Sequence, residues 1–143
     1  MGNAPEADSG EIPPVADEQA ALRRVATLVA GGAPPEQVFA AVTAEAGGVL
    51  SADFTSLCRY DADGAVKVVG TWSGTGSPHP IPVGSWLPAE GANVHTQVFR
   101  TRRPARVDRF AADIGPRLTA VLTAGVRSGV GAPVWVEGRM WAW

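Results

Sequence analysis

The chain has 143 residues, 45% of them hydrophobic and 18% charged, with a formal charge of −2. That is the make-up of one globular domain with a single core. It excludes a disordered chain, and the near-neutral balance carries none of the global basic field expected of a nucleic-acid binder.

The N-terminal stretch is acidic, polar and proline-rich, without the apolar core of a signal peptide. Its first residues imitate a myristoylation pattern, but Glu6 stands where that pattern needs Ser or Thr. No apolar run approaches the ~20 residues of a membrane span. Residues 1–15 are expected to be disordered, and residues 16–143 to form one domain. The single cysteine, Cys58, cannot make an internal disulfide and supplies no metal motif. A cytoplasmic protein with no membrane or nucleic-acid partner is the expectation.

Asp17 reads as a helix N-cap, followed by Leu22, Val25, Ala26 and Val29 at helical spacing, and Gly31-Gly32 ends the helix. Pro34-Pro35-Glu36 opens a second helix, with Val38, Phe39, Val42, Ala46 and Val49 as its apolar stripe. Ala52–Tyr60 and Ala65–Trp72 read as two strands joined by a turn at residues 61–64. The loop Ser73–Pro82 holds three prolines and two glycines, which forbid a regular ladder.

A short strand is expected over Val83–Leu87, a short helix over Asn93–Thr101 and a brief extended piece over Ala105–Val107. A further helix is expected over Ile114–Ala124, with Ile114, Leu118, Val121 and Leu122 inward. A hairpin closes the chain. Its first strand runs Val126–Val136, Glu137-Gly138 is the tight turn, and Arg139–Trp143 begins a return strand. Hairpins dominate and no βαβ repeat appears. The fold class is therefore α+β, a central antiparallel sheet with helices packed on its faces.

Four phrases, in this order and spacing, resemble the GAF family. They are LRRVATLVAGGAPPEQVFAAVTAEAG (Leu22–Gly47), ADFTSLCRYDADG (Ala52–Gly64), VFRTRRPARVD (Val98–Asp108) and GVRSGVGAPVWVEGRMW (Gly125–Trp141). The resemblance is to the actinobacterial type found beside sensor kinases and regulators. It implies a layered α/β/α fold related to PAS domains, with a small-molecule pocket on one face of the sheet. It also implies a sensory role in signal transduction, a homodimer, and a covalently attached output domain such as a histidine kinase or a transcriptional or phosphatase regulator. No catalytic role is implied. Against the family pattern, the last strand is expected to be incomplete and a C-terminal helix to be missing. The unpaired strand edge would then be covered by dimerisation. A second departure is Arg102, which stands where the family often has glycine, so a left-handed turn there is less comfortable.

The expected ligand site is built from Trp72, Trp86, Asn93, Arg106 and Asp108. Trp72 and Trp86 flank the long loop and either bracket a pocket mouth or pack in the core. Asn93 either caps its helix or meets an anionic ligand group together with the free N–H groups there. Arg106 and Asp108 point to one face of an extended piece, as a donor–acceptor pair for a ligand or as an ion pair pinning the loop. Arg100, Arg102, Arg103, Arg106 and Arg109 crowd one segment, as a solvated surface or as an anion or partner contact. Trp141 and Trp143, with Trp135 across the turn, are expected to form an aromatic cluster.

No cofactor is assigned. Haem would need His79 or His95 as an axial ligand. Attachment of a bilin, in family terms, needs a cysteine near the pocket helix, and the family's cyclic-nucleotide residue set is not visible. A dimerisation or protein-interaction module with no ligand is the alternative function.

Overall fold

The computed structural model describes residues 15–142. The expected disordered N-terminal segment falls on residues outside these, apart from Val15, which begins a helix. Helices α1 (Val15–Ala30) and α2 (Pro35–Leu50) pack on each other, and α2 lies on the sheet. Two seams mark α1. Ala21, Val25 and Leu28, at a 4–3 spacing, are buried or half-buried toward α2, whereas Leu22 and Val29 are 70% and 59% exposed. Across the α1–α2 interface, Arg24 donates through Nε and Nη2 to the two carboxylate oxygens of Glu45.

Strands β1 (Phe54–Tyr60) and β2 (Val66–Ser73) form an antiparallel hairpin. Strand β3 is only Trp86–Leu87, because Pro82 and the turn at Gly84 delay the ladder. Then come α3 (Val94–Thr101) and β4 (Ala105–Val107). The single helix expected over Ile114–Ala124 is two pieces, a 3₁₀ turn at Ala112–Ile114 and the short α4 (Thr119–Thr123). Gly115 and Arg117 both take positive φ around Pro116, which no helix can accommodate. The inward positions nonetheless match, since Ile114 and Leu118 are buried and Val121 and Leu122 half-buried.

The closing hairpin begins as a bent strand, β5 (Gly129–Gly131) and β6 (Pro133–Val136), and returns as β7 (Arg139–Ala142). Glu137 and Gly138 both have positive φ, the signature of a type I′ turn. The sheet order is β3-β2-β1-β7-β6, and β4 pairs with β5. The return strand is therefore central, paired with β1 on one side and β6 on the other. That corrects the expectation of an unpaired edge at this strand. Its backbone groups are satisfied because β1, paired with β2 on one flank only, leaves the other flank to receive it.

The aromatic cluster is corrected too. Val134 faces Trp141 and Trp135 faces Met140 across the hairpin, so the two tryptophans occupy opposite faces. Trp141 packs on Phe39 of α2, 5.4 Å between ring centres, while Trp135 is exposed. Trp143 lies outside the described residues.

Two layers flank the sheet. Helix α2, backed by α1, covers one face. The opposite face carries α3, the 3₁₀ turn, α4 and the connecting loops, and the main core of Val66, Val68, Ile81, Leu87, Ile114 and Leu118 sits beneath them. At the end of α3, Arg102 adopts the left-handed conformation with φ 57°, at a cost of roughly 1 kcal/mol for a residue with a Cβ. Its guanidinium lies over the Phe99 ring, 4.5 Å from the centroid, and Nη1 reaches Met140 Sδ. These contacts hold the strained turn.

Candidate functional site

Between the sheet and the short-helix layer lies a cavity of about 200 Å³. Its floor is the alternate-residue face of β1, Phe54, Ser56 and Cys58, with Val68 of β2 and Ala142 of β7. The period-2 pleat puts these side chains on one face, and the pairing of Cys58 with Ala142 aligns the two strands. The walls come from the loop before β3 (His79, Pro80, Ile81), the start of α3 (Asn93–His95), the 3₁₀ turn and α4, and Val126 and Ser128–Val130.

Asn93 is the framework of one wall. It is buried, its Oδ1 accepts from the Thr96 N–H at 3.0 Å as the N-cap of α3, and its Nδ2 donates to the carbonyls of Glu90 and Ile114 at 2.7 and 2.6 Å. One amide thus caps a helix and ties two loops together. The capping alternative describes its hydrogen bonds, and it also lines the cavity.

Two histidines border the same space. His79 Nδ1 accepts the Ile81 N–H at 3.0 Å, which places the ring proton on Nε2, and the ring meets Phe54 edge-on at 5.5 Å. Burial lowers the pKa of His79, and protonating Nδ1 would also sacrifice that hydrogen bond. His95 Nε2 lies 3.2 Å from the Pro88 carbonyl, which only a protonated nitrogen can approach as a donor, leaving Nδ1 with its lone pair. Burial lowers the pKa of His95 as well, against the smaller opposing effect of that carbonyl. Cys58 is buried in the floor, and desolvation pushes its thiol up to about 12 despite a bond from Ser56. Tyr60 follows on the same strand face. Burial raises its pKa, and its hydroxyl donates to the His95 carbonyl at 2.6 Å.

The other four predicted residues stand apart from this cavity. Trp72 pairs with Thr55, whose hydroxyl bonds to the Thr43 carbonyl of α2, so both belong to the α2 side of the sheet. There the Trp72 ring fills the space over Gly47. Trp86 is 44% exposed at the sheet edge, and its carbonyl accepts from Arg117. Arg106 borders a second cavity of about 400 Å³ beside Asp53 and Thr55, which shares Phe54, Ser56, Val126 and Ser128–Val130 with the first. Its Nε donates to Asp108 in an ion pair between two largely exposed side chains. The five residues are not gathered around one space.

The space beside the sheet is not filled by Trp72, Trp86 or Phe99, since Phe99 packs on Tyr60 at 5.5 Å. The Phe54–Ser56–Cys58 row stands outside the expected site, and the two histidines entered the sequence reading only as candidate haem ligands. The alternation of β1 was the available signal for that row. Among the described residues no cluster of His, Cys, Asp and Glu could hold a metal ion, and no helix is long and apolar enough to cross a membrane.

The family model for the GAF domain matches residues 34–142. The chain belongs to the GAF family. Solved GAF domains share its architecture. The phycoerythrobilin-bound GAF domain of a cyanobacterial phytochrome superposes with a TM-score of 0.67 at 17% identity, over 90% of this chain and 80% of that one. The A. Aeolicus nlh2 GAF domain in an inactive state gives 0.64 at 10%, over 90% and 78%. The GAF domain of an Acinetobacter phosphoenolpyruvate-protein phosphotransferase gives 0.60 at 15%, over 87% and 74%. At these identities the likeness is one of fold. No curated protein matches the chain. In this GAF domain the cavity lies on the sheet face opposite α1 and α2.

Proposed function

We propose that this GAF domain is a cytoplasmic sensory module of signal transduction, of the kind found beside actinobacterial kinases and regulators. It binds a small molecule in the cavity between the sheet and the α3–α4 layer and passes the event to an attached output domain. The observation that carries this reading is the cavity itself. It is a mostly apolar hollow in a small domain, bordered by Asn93, His79, His95, Ser56 and Ser128 as a few polar groups at defined places. The bilin held by the related cyanobacterial domain supports a ligand role for this fold. Binding would shift the balance between two arrangements of the loops that wall the cavity.

The proposal is tested by thermal shift against a metabolite library, with an absorption spectrum of the fresh protein for coloured ligands. A ligand at 100 times its Kd stabilises by ~2.7 kcal/mol, which raises Tm by roughly 8 °C for a domain of this size. A library without any stabilising member, together with a featureless spectrum, counts against a sensor.

A homodimer is the second element of the reading, and as a dimerisation module it is also the alternative function. It is favoured by the outer seam of α1. There Val15, Leu22, Ala26 and Val29 are exposed at the 3–4 spacing of a coiled coil, with Gln19 as the polar member of the seam. In a parallel pair, Glu18 would face Arg23 of the partner subunit on both sides of the axis. Leu22→Glu is expected to convert a dimer to a monomer in sedimentation velocity without changing the circular dichroism. A wild-type protein that sediments as a monomer at micromolar concentration removes this element.

A further inference from the structure

The two cavities differ in a way that bears on what each can hold. Asp53 and Arg106 border the second. Among the described residues, no Asp, Glu, Lys or Arg borders the first. Its floor and walls are Phe54, Val68, Ile81, Leu87, Ile114 and Leu118, with hydroxyls and imidazoles between them. Burial favours the neutral form of both imidazoles, and their hydrogen bonds assign the protons. His79 keeps an Nε2–H donor and His95 keeps an Nδ1 acceptor beyond those bonds.

A charged group pressed against these side chains gives up part of its water and meets no counter-ion among them, which is an unfavourable transfer. The size is equally restrictive. An apolar cavity of 150 Å³ accepts benzene, so about 200 Å³ takes a molecule of one or two small rings.

We propose that the cavity between the sheet and the short-helix layer selects a small, uncharged, ring-sized molecule, with an apolar body against the sheet and one donor–acceptor end toward His79 and His95, and that it rejects anions and cations of the same shape. This rests on the ligand-binding reading above and adds the chemical class of the ligand.

Three near-isosteres separate charge from shape: benzamide is neutral, benzoate an anion and benzamidine a cation. Phenol and indole extend the neutral set. Each is titrated at pH 7.5 and followed by thermal shift and by protein NMR. The neutral compounds are expected to bind, and benzamide to bind at least ~100-fold more tightly than its charged counterparts. Val121→Phe narrows the cavity from α4, and Val130→Trp narrows it from an exposed position that folding tolerates. Neutral-ligand binding is expected to fall at least ~10-fold in whichever of the two remains folded.

Benzoate or benzamidine binding as tightly as benzamide, with the same loss in these variants, overturns the proposal and leaves the sensor reading standing. Neutral-ligand binding that persists in both folded variants overturns the placement in this cavity. Failure of all three neutral compounds, while the library finds a charged ligand, overturns the chemical class. Failure of every compound in both experiments removes the sensor reading as well.

Discussion

Cys58 shows how a single residue's chemistry is decided by its neighbours. A thiol on a strand is ordinary in sequence, yet here it forms part of a cavity floor and is pushed up to about 12 by loss of water. Thiolate, not thiol, is the reacting species. The native protein is therefore expected to react with an aromatic disulfide reagent at pH 8 at least ~100-fold more slowly than the unfolded chain. Labelling in the first seconds, at the rate of the denatured sample, would show that the floor opens to solvent. Arg102 makes the complementary case. Its identity was legible as a departure from glycine, and the positive φ followed from the turn. The compensating contacts with Phe99 and Met140 were not legible, because they join residues brought together by α3 and β7.

Among the elements, α2 was read most completely and still held a hidden feature. Its stripe of Val38, Phe39, Val42, Ala46 and Val49 is half-buried along its whole length, as the 3.6 period requires. The deepest positions are Thr43 and Gly47, which no hydrophobicity pattern marks. Thr43 satisfies its hydroxyl within the helix through the Phe39 and Ala40 carbonyls. At Gly47 an added methyl would overlap the Trp72 ring, whereas at Gly48 it would meet nothing within 4 Å. The neighbouring glycines thus predict opposite outcomes in chemical denaturation. Gly48→Ala should stabilise by up to ~1 kcal/mol through helix propensity. Gly47→Ala should destabilise, because an overpacking cost of ~1–3 kcal/mol exceeds that same gain. The closing hairpin shows the reverse pattern. Its turn at Glu137-Gly138 was plain from the sequence, but the bend at Pro133 and the docking of β7 beside β1 were not.

At the scale of the whole molecule, the buried histidines link stability to pH. Both have native pKa values lowered from the ordinary 6.5, chiefly by burial. The unfolded chain binds protons in this range that the native chain refuses, so stability rises with pH there. The contribution is complete above pH 6.5 and declines as pH falls below it, until the native sites themselves take protons. Glu45 acts in a separate window. Its carboxyl lies below the ordinary 4.5 because of the hydrogen bonds from Arg24, so its contribution is present above that value and lost below it. Urea midpoints measured from pH 8 to pH 4 should therefore be flat down to about 6.5 and then fall. The early part of that fall should disappear in a His79→Gln, His95→Gln double variant. A fall that begins in the same place without the histidines would assign it to other groups.

The sequence by itself determined the element types, the α+β class, the hairpin turns and the family, because periodicity, proline and positive-φ turn residues act locally. Only the tertiary structure decided which face each strand residue occupies and what lies opposite it. One bulge between Leu57 and Cys58 sets the register of β1 against β2, and that register sends Trp72 to α2 while it leaves Cys58 and Val68 in the cavity floor. The cavity is likewise a tertiary product. Its histidines come from a loop and a helix start that meet only over the folded sheet, and their neutrality is a consequence of the burial that the meeting creates.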